Sequence, residues 1–227
     1  MRKVSFLMLL CPLLAAAQSM ITSFPHITIF QPDFRELRLQ CIDRPSEQDS
    51  SIMLCCAGAF THDALTEFGL ENIDGNHVSC SQVFEGNTSP DLTGVFLWCE
   101  YGYLFLKKSD SQIAECTAKQ YVTAFEQALV ILDGEKVDFP IKKYYEYAQH
   151  YRVLAEWNGR LCMIESDVTT MDVFTDAMLK AGVTNAIYTD MGGWKFAWYR
   201  ADDGSVKHIH PVEPKTKYQS NWLCFIK

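Results

Sequence analysis

The sequence predicts an α+β fold, a single domain with a mixed, mostly antiparallel β-sheet flanked by helices. Three observations carry that expectation. Apolar runs of strand length recur from residue 36 to the end; two stretches show helical spacing with cap residues; and Asn158-Gly159 and Asp203-Gly204 sit between strand-like runs, the strongest short signal for a hairpin. The elements justify themselves in chain order. Glu36 to Arg44 alternates as Leu37, Leu39 and Cys41, which reads as a half-buried strand, and Ile52 to Phe60 is a continuous apolar run suited to a buried one. Ser79 to Phe84 and Gly94 to Leu106 also read as strands, separated by a turn-rich loop over residues 85–91 that contains the sequon Asn87-Thr88-Ser89.

A first helix is expected from Thr117, with Gln120 at capping-box spacing, through Tyr121, Val122, Phe125, Ala128, Leu129 and Leu132 to Gly134. Pro140 to Gln149 suits a short Tyr-rich helix. The hairpin Arg152–Trp157 and Arg160–Glu165 follows. A second main helix starts at Thr169, has Asp172 three residues on, buries Val173, Phe174, Ala177 and Met178, and stops at Gly182. The buried strand Ala186–Thr189, a hairpin of Trp194–Arg200 with Val206–Val212, and a final strand Asn221–Ile226 complete the chain.

The N-terminus carries a different signal. Met1-Arg2-Lys3, an apolar stretch from Val4 to Leu14 and Ala15-Ala16-Ala17 form the three regions of a cleavable signal peptide, so residues 1–17 are set apart from one domain over 18–227. A membrane span needs about 20 apolar residues, and this run breaks at Pro12, so no stable membrane insertion is expected after cleavage. The expected location is secreted or periplasmic. Without Arg2 and Lys3, 18 basic residues face 28 acidic ones, a net charge of −10. No basic run is available to release counterions from a phosphate backbone, so nucleic acid is not an expected partner. Nine cysteines occur, eight of them after the signal peptide, and Cys55, Cys56, Cys99, Cys162 and Cys224 lie in apolar runs. They read mostly as buried thiols, with one or two unassigned bridges possible.

The segment most able to carry chemistry is Asp190-Met191-Gly192-Gly193, a carboxylate and two glycines directly after a buried strand. Glycine lets a ligand approach the backbone, and an aspartate there can move a proton; the alternative is a tight turn capped by Asp190. Cys56-Ala57-Gly58-Ala59-Phe60-Thr61 is a second such segment, suited either to ligand approach or to close strand packing. Trp194, Phe196, Trp198 and Tyr199 offer rings for sugar stacking or for the core, with Trp194 and Tyr199 the better candidates for ligand contact. His208 and His210 alternate on one strand face, yet two imidazoles without a third ligand do not define a metal site. No cofactor fingerprint occurs, and no cofactor is expected.

Taken together, Ala57-Gly58-Ala59-Phe60, the Arg152 hairpin with Trp157-Asn158-Gly159, Asp172 to Gly182, Asn185 to Gly193 and Ser220-Asn221-Trp222-Leu223 resemble the phosphodiester glycosidase family over roughly residues 50–227. In that family the two motifs read Asn-Gly-Gly-Phe and Asp-Gly-Gly-Gly-Ser and line one cleft. Here Ala57 stands for the asparagine, Ala59 for a glycine, Met191 for the first glycine and Trp194 for the serine. The resemblance implies an exported hydrolase of a sugar-phosphate diester or related glycoside, with Asp190 as acid/base and Arg152 holding the phosphoryl group. Gly58, Phe60, Thr61, Gly192, Gly193, Trp194, Tyr199 and Asn221 would contact substrate. Glycosidases commonly use two carboxylates, which makes Glu156 or Glu67 a candidate partner of Asp190. The expected ligand is a carbohydrate or sugar phosphate; the other reading is a non-catalytic carbohydrate-binding or envelope module that keeps the fold.

Overall fold

The computed structural model describes residues 20–61, 73–110, 123–191 and 195–227. It overturns the α+β expectation: the chain is mostly β, with three antiparallel sheets and, among the described residues, one α-helix. The first sheet has seven strands in the order β1 (Ile21–Phe24), β2 (Ile27–Phe30), β13 (Arg160–Ser166), β12 (Arg152–Trp157), β14 (Val183–Tyr188), β10 (Leu129–Leu132) and β11 (Glu135–Lys136). The second runs β16 (Val206–His210), β15 (Ala197–Arg200), β4 (Ile52–Ala57), β17 (Asn221–Ile226) and β3 (Glu36–Cys41). The third runs β6 (Gln82–Phe84), β5 (His77–Ser79), β9 (Thr123–Gln127), β7 (Gly94–Cys99) and β8 (Gly102–Lys107).

Period-two alternation sorts the side chains into layers. On β17, Leu223 and Phe225 enter the central core shared by all three sheets, together with Leu39, Phe96, Phe125, Leu154 and Ile187. Trp222, Cys224 and Ile226 face the other way and pack with Ile52, Cys55, Phe196 and Trp198. On β12, Val153, Ala155 and Trp157 face a further core closed by α1 (Met171–Lys180), whose Met171, Phe174 and Met178 are buried. Val173, expected inside, is 39 % exposed. The Trp157 indole donates to Ala181 O at 2.9 Å, pinning the end of the helix to the hairpin.

The helix expected over 117–134 is replaced, where the chain is described, by β9 and β10 in two different sheets; residues 117–122 lie outside the described residues. All five residues of β9 are buried, as are the first three of β10. A strand covered on both faces loses its polar alternation, and its apolar positions then fit a helical period equally well. Asp133 and Gly134, at φ 52° and 77°, make the turn from β10 to β11 instead of ending a helix. Asn158-Gly159 adopts the same left-handed pair, at 52° and 69°, as its hairpin signal requires. The stretch Ser79–Phe84 splits into the end of β5 and all of β6 about Cys80 and Ser81, both at positive φ. The Tyr-rich segment holds only a 3-10 turn over Lys142–Tyr145. The final strand and the Arg152 hairpin form as expected.

Seven cysteines fall among the described residues, and all are free. Cys55 and Cys224 sit directly opposite one another on β4 and β17. Burial pushes the Cys56 thiol up to about 12 and Cys55 well above its usual range. The signal-peptide residues lie outside the described residues, and no described helix is long and apolar enough to cross a membrane.

Gly86 permits the tightest backbone approach among the described glycines. A Cβ there would lie 2.1 Å from Gly75 O and 2.3 Å from Ile73 O, on a backbone fixed by the Gly75 N–H donating to Asn87 O and the Asn87 N–H donating to Ile73 O. Gly86→Ala is therefore expected to cost about 3 kcal/mol or more, read from the denaturant midpoint, whereas Lys227→Ala at the exposed terminus stays within about 0.5 kcal/mol.

Candidate functional site

Asp190 leaves β14 two residues after its end, where the sheet hands the chain to the Gly58–Thr61 segment that continues β4. Its own N–H donates to Gly58 O at 2.8 Å. Its carboxyl accepts the Thr61 N–H at 2.8 Å on Oδ2 and the Met191 N–H at 2.9 Å on Oδ1. Asp190 is 4 % exposed. Burial drives its pKa up to about 8; the two amide donors oppose that rise, and the carboxylate of Asp74 adds to it. A carboxylic acid that keeps its proton at neutral pH is equipped to give it away.

The predicted neighbours gather here in part. Asn221 donates from Nδ2 to Ala59 O at 3.0 Å, and a Cβ on Gly58 would come within 2.5 Å of Asn221 Oδ1, so glycine is what lets these strands close. Phe60 packs on Tyr188 with ring centroids 5.5 Å apart. The Thr189 hydroxyl and Asn221 Oδ1 are buried without a hydrogen-bond partner among the described residues. Tyr144 and Tyr188 complete the surroundings. Burial and then Asp190 raise the Tyr144 pKa; burial, Tyr144 and Asp190 raise that of Tyr188. Gly192, Gly193 and Trp194 lie outside the described residues. Tyr199 turns into the central core, its ring 5.7 Å from Phe30, while Phe196 and Trp198 are buried on the outer face of the second sheet.

Arg152 is wholly buried and committed to a network that sequence did not reveal. Its Nε and Nη2 both donate to Glu165 Oε2, at 3.1 and 3.0 Å, and Nη2 also donates to Lys195 O at 2.8 Å. The other Glu165 oxygen pairs with His210 Nε2. Burial would raise the Glu165 pKa, but Arg152 and then His210 outweigh it and hold the carboxyl below its ordinary value. Arg152 Nη1 has no partner among the described residues. Because Arg152 O accepts the Thr189 N–H at 3.0 Å, this single residue fastens the chain on both sides of residues 190–194.

The histidine pair does not share a ligand position. Across a bulge His210 lies opposite Ala197 and His208 opposite Trp198, consecutive residues; His208 pairs with Glu47 at 3.0 Å and His210 with Glu165. No cluster of three His, Cys, Asp or Glu side chains suited to a metal occurs among the described residues. Glu156, a suggested second carboxylate, accepts from Asn185 Nδ2 at 2.7 Å, four residues along β12 from Arg152 and so about 13 Å away. Glu67 lies outside the described residues. Asp74, which no sequence motif marks, is the carboxylate that bears on Asp190.

Comparison with solved structures gives the fold a relative. The catalytic domain of zebrafish N-acetylglucosamine-1-phosphodiester alpha-N-acetylglucosaminidase, auto-inhibited by its pro-peptide, superposes with a TM-score of 0.63 at 16 % identity, covering 88 % of this chain and 76 % of that one. The chain shares the fold of a phosphodiester glycosidase domain. A hypothetical protein from Synechocystis matches at a TM-score of 0.48 and 11 % identity over 88 % of this chain and 59 % of that one. No family model and no curated protein matches the sequence.

Two expectations test this geometry. Asp190 in the folded state keeps a proton that the unfolded chain releases above about pH 4, so wild-type stability falls as pH rises from about 4 to about 8. Asp190→Asn removes that slope: thermal melts from pH 5 to pH 8 are expected to show the variant gaining on wild type by several kcal/mol, at about 1.4 kcal/mol per unit. Arg152→Leu strands a buried Glu165 and is expected to cost about 3–5 kcal/mol in denaturant unfolding, part of which Arg152→Leu combined with Glu165→Met restores.

Proposed function

We propose that the chain is an exported hydrolase of a sugar-phosphate diester or related glycoside, in which Asp190 protonates the departing oxygen. The observation that carries this reading is a buried carboxyl with its pKa near 8, gripped by two backbone amides at the end of a strand. Cleaving a glycosidic bond leaves negative charge on the departing oxygen, and an acid that is still protonated at neutral pH neutralises it in the transition state. The fold shared with a phosphodiester glycosidase domain supports the substrate class. Arg152, its guanidinium buried on Glu165 and on Lys195 O, acts as a positioning residue that fastens the chain at Thr189 and Lys195. In this reading Gly58, Phe60, Thr61 and Asn221 line the substrate site; Gly192, Gly193 and Trp194, which the sequence adds to it, lie outside the described residues. The signal-peptide pattern of residues 1–17 supports an activity outside the cytoplasm, secreted or periplasmic.

The second reading, a carbohydrate-binding module, draws on the apolar residues Ala57 and Met191 at motif positions, the latter buried in the helix-side core. One comparison separates the two. Wild type and Asp190→Asn are assayed against a panel of sugar 1-phosphodiesters and aryl glycosides. The enzyme reading expects turnover that falls as pH rises past about 8, where Asp190 loses its proton, and a loss of about a hundredfold or more in kcat for the variant. Absence of turnover across the panel, with sugar binding kept by both proteins, overturns it.

A further inference from the structure

Asp74 has no part in the sequence motifs, yet the backbone brings it to the site from a third direction. Ile73 pairs with Thr61 in an isolated antiparallel bridge, and the Asp74 N–H donates to Phe60 O at 2.8 Å. On its other side, Thr61 donates its own N–H to the Asp190 carboxyl at 2.8 Å, and Gly58 O accepts the Asp190 N–H. The Phe60–Thr61 segment thus lies between Asp74 and Asp190. Ile73 is fully buried in the central core, so alternation turns Asp74, which is half-buried, to the opposite side. Phe60, whose carbonyl takes the Asp74 N–H, packs on Tyr188, and both Tyr188 and Tyr144 interact with Asp190, on which the Asp74 carboxylate also bears. Gly75 and Gly86 keep Asp74 in place, since Gly75 N–H donates to Asn87 O and Gly86 packs directly against the Ile73–Gly75 backbone.

Resting on the hydrolase reading above, we propose that Asp74 is the second catalytic carboxylate of the site, acting as the base that activates water. The bond from the anomeric carbon to the departing oxygen breaks, its electron pair going to that oxygen, which takes the Asp190 proton. A water oxygen bonds to the anomeric carbon and loses its proton to Asp74. Exchange with solvent then returns the proton to Asp190. The Phe60–Thr61 segment lies between the two backbones, so Asp74 and Asp190 come to the site from opposite sides of it, the arrangement in which one carboxyl serves the departing oxygen and the other the incoming water.

The test compares Asp74→Asn, Asp190→Asn and wild type on a sugar 1-phosphodiester and on the dinitrophenyl glycoside of the same sugar, whose leaving group needs no acid. Asp74→Asn is expected to lose about a hundredfold or more in kcat on both substrates with KM little changed, and Asp190→Asn far more on the first than on the second. The first-formed sugar should have inverted anomeric configuration by proton NMR. Asp74→Asn within tenfold of wild type, on a substrate that Asp190→Asn no longer turns over, overturns the role of Asp74 and leaves the hydrolase reading standing; a retained anomer overturns its role as base. No turnover by wild type overturns both. Carboxyl carbon NMR titration gives a readout independent of turnover. With Tyr144 and Tyr188 in place, removing the Asp74 charge is expected to lower the Asp190 midpoint, and an unmoved midpoint in a folded Asp74→Asn protein overturns the proposal.

Discussion

A single guanidinium governs how the sheets meet. Arg152 lies on β12, Glu165 opposite it on β13 and His210 on β16, so the buried Arg152–Glu165–His210 chain bridges the seven-stranded sheet and the edge of the second sheet. Charges of this kind are expensive to take out of water, and the expense is tolerable only because each finds an opposite charge and defined hydrogen bonds. The His150 ring stands against His210, its Nδ1 within 2.8 Å of Ser166 O, which fills the remaining side of the network. The same arginine holds Thr189 through its carbonyl and Lys195 through its side chain. Wherever the segment between those residues carries a ligand, its two ends are set by Arg152.

The network and the site beside it show opposite uses of burial. Glu165 and Asp190 are both nearly inaccessible carboxyls, at 6 % and 4 % exposure. Glu165 meets the Arg152 guanidinium and the His210 imidazole, which together hold its carboxyl below the ordinary value. Asp190 meets two amide dipoles, two tyrosines and another carboxylate; dipoles alone do not offset the loss of hydration, and the proton stays on. Pushing two acids apart in this way is how a protein assigns one to structure and another to proton transfer. In this chain the two carboxyls differ because of the groups packed against each of them.

Much of the fold was legible where one face of an element meets water or a turn has an obligatory conformation. The β12–β13 hairpin followed from Asn158-Gly159, the strand β3 from its alternation, and α1 from its cap region and Gly182. The failures have two causes. Thr123–Leu132 is covered on both faces, so its apolar pattern carried no period that told strand from helix, and the fold class went wrong with it. Cys80-Ser81 turns the chain with residues that seldom adopt positive φ, so the β5–β6 hairpin was read as one strand.

The sequence by itself determined that a carboxylate and glycines stand at the end of a buried strand, that Gly58–Thr61 and Asn221 are of a kind to meet it, and where the main hairpins turn. Only the tertiary structure decided what surrounds them. Whether Asp190 keeps its proton depends on the absence of water and the nearness of Asp74, more than a hundred residues earlier in the chain. Arg152's commitment to Glu165, and the parting of His208 from His210, are set by strand register and a bulge. Local sequence encodes the backbone's conformational preferences, but a side chain's electrostatic character belongs to the groups that distant strands bring against it.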